Sequence, residues 1–195
     1  MKGDRELIQI VNAAMAEAAR RSGSWIACRV GCYQCCIGPF PITPLDALRL
    51  REGLAELEAE DPDRADRIRD RARASIGRLR REYPGDTVTQ VLEIEDAADD
   101  EPCPALDPDS GACDLYGARP LTCRAFGPAV RLRADPETNS VGVCELCYQG
   151  ATDEQIAACE VEIDIRGEAE LLDALKKSTG SSGDTLVAFA LLEAS

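Results

Sequence analysis

Four cysteines fall within nine positions, Cys28, Cys32, Cys35 and Cys36, in the stretch ACRVGCYQCCIGP, and two of them are adjacent. Glycine and proline bound the run, and its few apolar residues follow neither a helical nor a strand period, so it reads as a loop. Its thiols can be joined to each other, act as nucleophiles, or hold metal. Further cysteines at 103, 113, 123, 144, 147 and 159 bring the total to ten, whereas the chain contains no histidine.

The missing histidine removes whole classes of function. No Cys–His dyad or Ser–His–Asp triad can be assembled, and no mixed Cys/His zinc finger or zincin site. There is neither a GxxxxGK[ST] phosphate loop nor a GxGxxG, and GSSG at 180–183 reads as a linker. The formal net charge of −14 repels phosphate backbones, so no nucleic-acid partner is expected. No run of about 18 apolar residues is present, so no membrane span is expected. The N-terminus, MKGDRELIQIVNAAMAEAAR, is charged and amphipathic and lacks the apolar segment of a secretory signal, which places the protein in the cytoplasm. In that reducing compartment clustered thiols read first as metal ligands or redox groups, and a disulfide framework is the weaker reading.

With 195 residues and 45% hydrophobic content the chain is expected to form one domain over 1–195, without disulfide staples. Its metal-binding core is expected at about 24–150, with a helical C-terminal extension over 151–195. Residues 4–21 carry Leu7, Ile8, Val11, Met15 and Ala18 at helical spacing. Thr43, Pro44 and Asp46 form a capping-box start for a helix to about residue 58, burying Leu45, Leu48, Leu50 and Leu54 or Leu57. A second long helix is expected over 62–82, with Ala65, Ile68, Ala72, Ile76, Leu79 and Tyr83 on one face. Its other face carries Arg64, Arg67, Arg71, Arg78 and Arg81, read as a solvated surface balanced by the acidic stretch 56–63. Residues 87–95 are ambiguous between helix and strand. Val130–Arg133 and Val141–Cys144 flank DPETNS as a small β-hairpin that delivers Cys144 and Cys147. Thr152 opens a further capping box, CEVEIDIR at 159–166 alternates like a strand, EAELLDALKK reads as helix, and TLVAFALLEA is an apolar element of either type. The fold class expected is mainly α, with helices framing metal-binding cysteine loops.

Residues 101–128, EPCPALDPDSGACDLYGARPLTCRAFGP, bring three cysteines ten apart in a Pro-, Gly- and Asp-rich stretch without apolar periodicity. Metal coordination is the simplest agent that would order it. Cys28, Cys32 and Cys35 have the C-x3-C-x2-C spacing that lets thiolates converge. Cys36, pointing away from its neighbour in extended or turn backbone, argues for a second ligand set. Cys103, Cys113, Cys123, Cys144 and Cys147 supply one, while Cys159, on an apolar face, reads as a buried structural cysteine.

The blocks CxxxCxxCC at 28–36, CPAL at 103–106 and CDLYGARPLTCRAFG at 113–127 resemble the CxxCxxCC family of YkgJ-type cysteine cluster proteins, zinc- or iron-chelating. The last block is similar to that family's C-x-[IL]-Y-x-x-R-P-x-x-C-R-x-F signature at Cys113, Leu115, Tyr116, Arg119, Pro120, Cys123, Arg124 and Phe126. One residue more separates Cys28 from Cys32 than in the pattern that names the family. The resemblance implies metal binding and leaves metal and activity open.

An all-thiolate site suits zinc or an iron–sulfur cluster, and either carries about −2 with four thiolates. Arg119 and Arg124, on either side of Cys123, are the candidates to balance that charge, and Trp25, Tyr33 and Phe126 to shield the centre. A [4Fe–4S] cluster is favoured over zinc by the spacing and the surplus of thiols. The role expected is electron transfer, redox or metal sensing, or support of a partner enzyme. A structural four-cysteine zinc module that binds a partner protein, and a redox or iron-dependent enzyme, stay open as alternatives.

Overall fold

A computed structural model describes residues 2–134 and 141–192. The DPETNS turn of the expected hairpin, at 135–140, lies outside the described residues. The helices are α1 (Lys2–Ser22), α2 (Pro44–Glu60), α3 (Pro62–Glu82), α4 (Thr87–Glu93), α5 (Leu121–Ala125), α6 (Asp153–Cys159), α7 (Gly167–Thr179) and α8 (Val187–Leu192). Three short strands, β1 (Val130–Arg133), β2 (Val141–Gly142) and β3 (Val161–Asp164), make the only sheet among the described residues. The fold is mainly α, as the sequence indicates.

The chain divides into two compact units, each assembled from separated segments. A helical unit comprises Val30–Pro120 and Thr179–Ser195, and a sheet unit comprises Met1–Arg29 and Leu121–Ser178.

In the helical unit, α2 begins where the sequence says. The Thr43 hydroxyl accepts the Asp46 N–H at 3.2 Å, the Asp46 carboxylate accepts the Thr43 N–H, and Pro44 fills the first turn. Asp61 caps α3 by accepting the Arg64 N–H at 3.0 Å, and Pro62 follows it. The α3 positions Ala65, Ile68, Ala72, Ile76 and Leu79 are all buried, as the 3.6-residue period requires. On α2, Leu45, Leu50 and Leu54 are buried, while Leu48 and Leu57 are half-buried. The ambiguous segment at 87–95 is helical over Thr87–Glu93, started by the Asp86 carboxylate on the Thr89 N–H. The apolar C-terminal stretch forms α8, which packs against both α2 and α3 and buries Val187, Ala188, Phe189, Ala190 and Leu191. A helix apolar on every side is stable only when enclosed in this way.

In the sheet unit the strand order is β2-β1-β3. β1 and β2 form the antiparallel pair, with Val130 opposite Gly142, and β3 runs parallel to β1, with Val130 opposite Val161. The crossover to β3 passes through α6, whose start is a Thr152–Gln155 capping box. Along CEVEIDIR, Ile163 and Ile165 are buried while Glu162 and Asp164 face solvent. The inward residues join Leu7, Val11 and Ala18 of α1 and Leu121 and Ala125 of α5 in one apolar cluster.

Candidate metal centre

The ten cysteines divide with the two units. The helical unit holds Cys32, Cys35, Cys36, Cys103 and Cys113, and the sheet unit holds Cys28, Cys123, Cys144, Cys147 and Cys159. No disulfide joins any of them. The C-x3-C-x2-C triplet is thus split between units after its first member.

In the helical unit, three backbone segments bring four thiols to one place. Cys36–Gly38 runs antiparallel to Glu101–Cys103, through Cys103 N–H to Cys36 O at 2.8 Å and Gly38 N–H to Glu101 O at 2.9 Å. The chain then turns so that Leu106 bridges Cys113 and the Asp114 N–H reaches the Ala105 carbonyl at 2.7 Å. The turn between them, DPDSG at 107–111, is organised by the Asp107 carboxylate, which accepts the Ser110 hydroxyl and the Asp109 N–H. Gly111, at φ +67°, passes so close to Gly31 and Tyr33 that a Cβ there would stand 3.2 Å from each. Cys32 is carried on that same 31–33 segment. Cys103 and Cys113 also pack on the core of α2, α3 and α8 residues.

Helix α3 clamps these segments with its arginines. Arg64 Nε and Arg71 Nη2 donate to the two oxygens of Asp114, at 2.6 and 2.5 Å, and Asp114's side chain is only 4% exposed. Arg71 Nε also donates to the Pro104 carbonyl at 2.7 Å, and Arg78 forms a two-point pair with Glu101. The reading of this face as merely solvated is therefore corrected for Arg64, Arg71 and Arg78, whose partners lie on the cysteine segments. Arg69, which is not among the five arginines read there, pairs with Glu58 of the acidic stretch at 2.6 Å. The signal that would have found the clamp is the seven-residue spacing of 64, 71 and 78, which stacks the three along one side of α3.

The electrostatics follow from this packing. Burial pushes the Cys103 thiol up to about 12, opposed by the N–H groups of Ala105 and Leu106 directed at its sulfur. Burial likewise raises Cys113, against the Leu115 N–H and the Arg119 charge. Cys35 and Cys36 sit on one 3₁₀ turn, Gln34–Cys36. The adjacent side chains were expected to diverge; the tight turn instead lets the Cys36 thiol donate to Cys35. That bond lowers Cys35 to about 6 and raises Cys36, which also feels the charges of Cys35, Cys103 and Cys113. Arg119 stacks on the Tyr116 ring, 3.5 Å from its centroid, and its charge adds to the lowering of Cys35 and opposes the rise of Cys113.

In the sheet unit, Cys144 and Cys147 are buried with Ala129, Tyr148 and Cys159, and Trp25 packs against them. The Cys28 sulfur lies against Gly127, where a Cβ would stand 2.8 Å away. Cys123 is half-buried on α5, and Arg124 beside it is buried and donates to the Asn12 side-chain oxygen at 3.2 Å. Cys159 gives its S–H to the Arg21 carbonyl at 3.4 Å. Of the three expected shielding aromatics, Tyr33 and Phe126 are largely exposed, 47% and 42%, and Trp25 is half-buried.

Among the described residues, no three Cys, Asp or Glu side chains are closed up tightly enough to grip one ion as they stand. The donor chemistry nonetheless fits a thiophilic metal: gathered thiols, N–H groups aimed at sulfur, and a cation beside them. A mainly helical scaffold presenting clustered thiols on hydrogen-bonded loops defines a cysteine-cluster protein. The model of the CxxCxxCC family, described as "Putative zinc- or iron-chelating domain", matches residues 27–147, and the chain belongs to that family. Comparison with curated proteins and with solved structures finds no match. Metal chelation by a cysteine-rich domain is accordingly its class of function. No helix among the described residues is long and apolar enough to cross a membrane.

Proposed function

We propose that the chain is an iron–sulfur protein whose principal centre is held by Cys35, Cys36, Cys103 and Cys113 in the helical unit. The observation that carries this reading is the convergence of those thiols from three hydrogen-bonded segments. The charges of these thiols act on one another, and that of Arg119 acts on Cys35 and Cys113, which supports a shared centre. Two thiols on consecutive residues of one turn suit neighbouring atoms of a cluster better than one tetrahedral ion. N–H donors at Cys103 and Cys113 and the Arg119 cation offset the net negative charge of a four-thiolate cluster and tune its potential. The role that follows is electron transfer, redox or metal sensing, or support of a partner enzyme.

The test is purification without oxygen, followed by metal and sulfide analysis and a visible spectrum. The expected protein is brown, contains iron and inorganic sulfide, and bleaches with dithionite. Replacing Cys103 or Cys113 by Ser should abolish the colour, because loop order and site formation are coupled. A colourless protein holding zinc in the same four-cysteine site would overturn the cluster in favour of a structural zinc module. Neither metal above trace levels would overturn both.

A further inference from the structure

We propose that the exposed rim around Cys35, wholly within the helical unit, is a docking face for the basic surface of a one-electron carrier protein. The proposal rests on the cluster reading above and adds to it the kind of partner and the residues that meet it.

Cys35 is exposed, whereas Cys36, Cys103 and Cys113 are half-buried, so Cys35 is the thiol of the four that opens on solvent. Large side chains stand uncovered beside it: Val30 is 93% exposed, Tyr33 47% and Tyr116 63%. None of the three belongs to an apolar cluster of this unit. Two of them are tied to the thiol turn. The Tyr33 carbonyl accepts the Cys36 N–H at 2.8 Å, and Arg119, whose charge acts on Cys35, lies over one face of the Tyr116 ring. Tyrosine is a residue that the centre of a protein interface favours, because it offers a large, stiff contact area.

The backbone on either side of this segment is acidic. At one end, Gly31 and Tyr33 pack on Gly111, which closes the turn that carries Asp109. At the other, Gly38 lies so near Asp99 that a Cβ would stand 3.2 Å from the Asp99 carbonyl oxygen, and Asp100 follows. Three carboxylates of these segments are engaged within the unit: Asp107 with Ser110, Glu101 with Arg78, and Asp114 with Arg64 and Arg71. Asp99, Asp100 and Asp109 are exposed and give the rim its charge.

An apolar centre with an acidic rim selects a partner whose own rim is basic. A second copy of this chain carries the same rim and the same net charge of −14, and is repelled, as are anionic lipid surfaces. So small a set of contacts suits a brief electron-transfer encounter better than a permanent complex. In the encounter one electron passes from the reduced cluster to the oxidised centre of the carrier. The cluster is oxidised by one electron and the carrier reduced by one, with no proton or covalent bond moved.

The experiment uses the full chain, purified without oxygen, reduced with dithionite and desalted. The probe is a basic c-type cytochrome in its ferric form. Stopped-flow absorbance reads haem reduction per iron in the chain, and calorimetry reads binding of the ferric cytochrome to the unreduced chain. The Asp99→Asn/Asp100→Asn/Asp109→Asn variant is expected to slow reduction about tenfold at low salt and to weaken binding, with the difference vanishing as salt is added. Glu6→Gln/Glu170→Gln/Asp173→Asn removes the same charge from exposed positions of the sheet unit and should change both readings far less. Tyr33→Ala/Tyr116→Ala should slow reduction of the cytochrome but not of hexaamminecobalt(III), which is too small to need a docking face. Equal effects of the two acidic variants overturn the proposal, since net charge alone would then act. Equal slowing of both oxidants by the tyrosine variant also overturns it, by placing the change at the cluster itself. Absence of iron from the chain defeats the cluster reading and the electron step with it, while the calorimetric comparison of the two acidic variants still decides the face.

Discussion

The two units hold their cysteines by opposite physical means. In the helical unit, the thiol-bearing segments are tied by charge: Arg64 and Arg71 converge on Asp114, and Arg78 on Glu101. In the sheet unit, Cys144 and Cys147 are enclosed by apolar and aromatic side chains and fixed by the Tyr148 hydroxyl, while the ion pairs Arg131–Glu160, Arg133–Glu162 and Arg166–Asp164 lie along the sheet. A charge clamp holds irregular backbone that has few apolar side chains to bury, as in DPDSG. Apolar enclosure needs side chains such as Trp25, Ile26 and Ile156 at hand. The local composition around each cysteine group thus selects the means of holding it.

The strongest blow to this contrast is Asp114→Ala. It removes a carboxylate whose side chain is only 4% exposed and leaves Arg64 and Arg71, themselves partly solvated at 39% and 25%, facing each other. Truncating one partner of a fully buried pair costs ~3–5 kcal/mol, and the solvation of both arginines brings the expectation to about 2 kcal/mol. Urea denaturation should record that loss. Metal analysis should show iron retention falling with it. Asp114→Asn should recover part of the loss. A variant as stable as the unaltered chain would remove the clamp from the account.

Tyr148→Phe strikes the sheet unit and should cost about 1–1.5 kcal/mol, through the unmet Ala129 N–H and the lost bond to Ser22. Tyrosine fluorescence and thermal denaturation would follow it. The size of its effect should not change with salt, whereas the Asp114→Ala difference should shrink as salt screens the clamp. Equal salt responses in the two variants would erase the distinction between the units.

Much of the fold was legible because its determinants are local. Thr43 and Thr152 each meet their capping partner three residues on, and the α3 period lies wholly within one segment. The alternation of CEVEIDIR gives β3 for the same reason. What stayed hidden is non-local. Arg64 and Asp114 are separated by 50 positions, and no pattern near either names the other. The parallel pairing of β3 with β1 depends on how α6 carries the chain back. The cysteines were visible as a set, but their grouping was not. Gly31, at φ +84°, lies between Cys28 and Cys32, which belong to different units, and a spacing rule has no access to that turn. The Cys35–Cys36 turn misled for a related reason, since the expectation assumed more open backbone than the 3₁₀ geometry provides.

The smallest effect expected tests whether charge in the sheet unit is as peripheral as the comparison requires. Asp164 is held down to about 2 by the Arg166 side chain and by that residue's N–H, with a further contribution from Arg133. A carboxylate lowered in the folded state stabilises it above the ordinary value of 3.8, and the contribution disappears as pH falls through about 2. Both partners are more than half solvated, so water screens the pair. Asp164→Asn should therefore leave stability nearly unchanged at low pH and lower it only slightly above pH 4. The measurement is the difference in urea midpoint between the two chains, taken on metal-free, reduced protein so that thiolate protonation and metal release do not intrude. A large difference at neutral pH would show that charge supports the sheet unit as it does the helical one. A difference that grows toward acid would have the wrong sign for a lowered carboxylate and would remove the Arg166 pair as its cause.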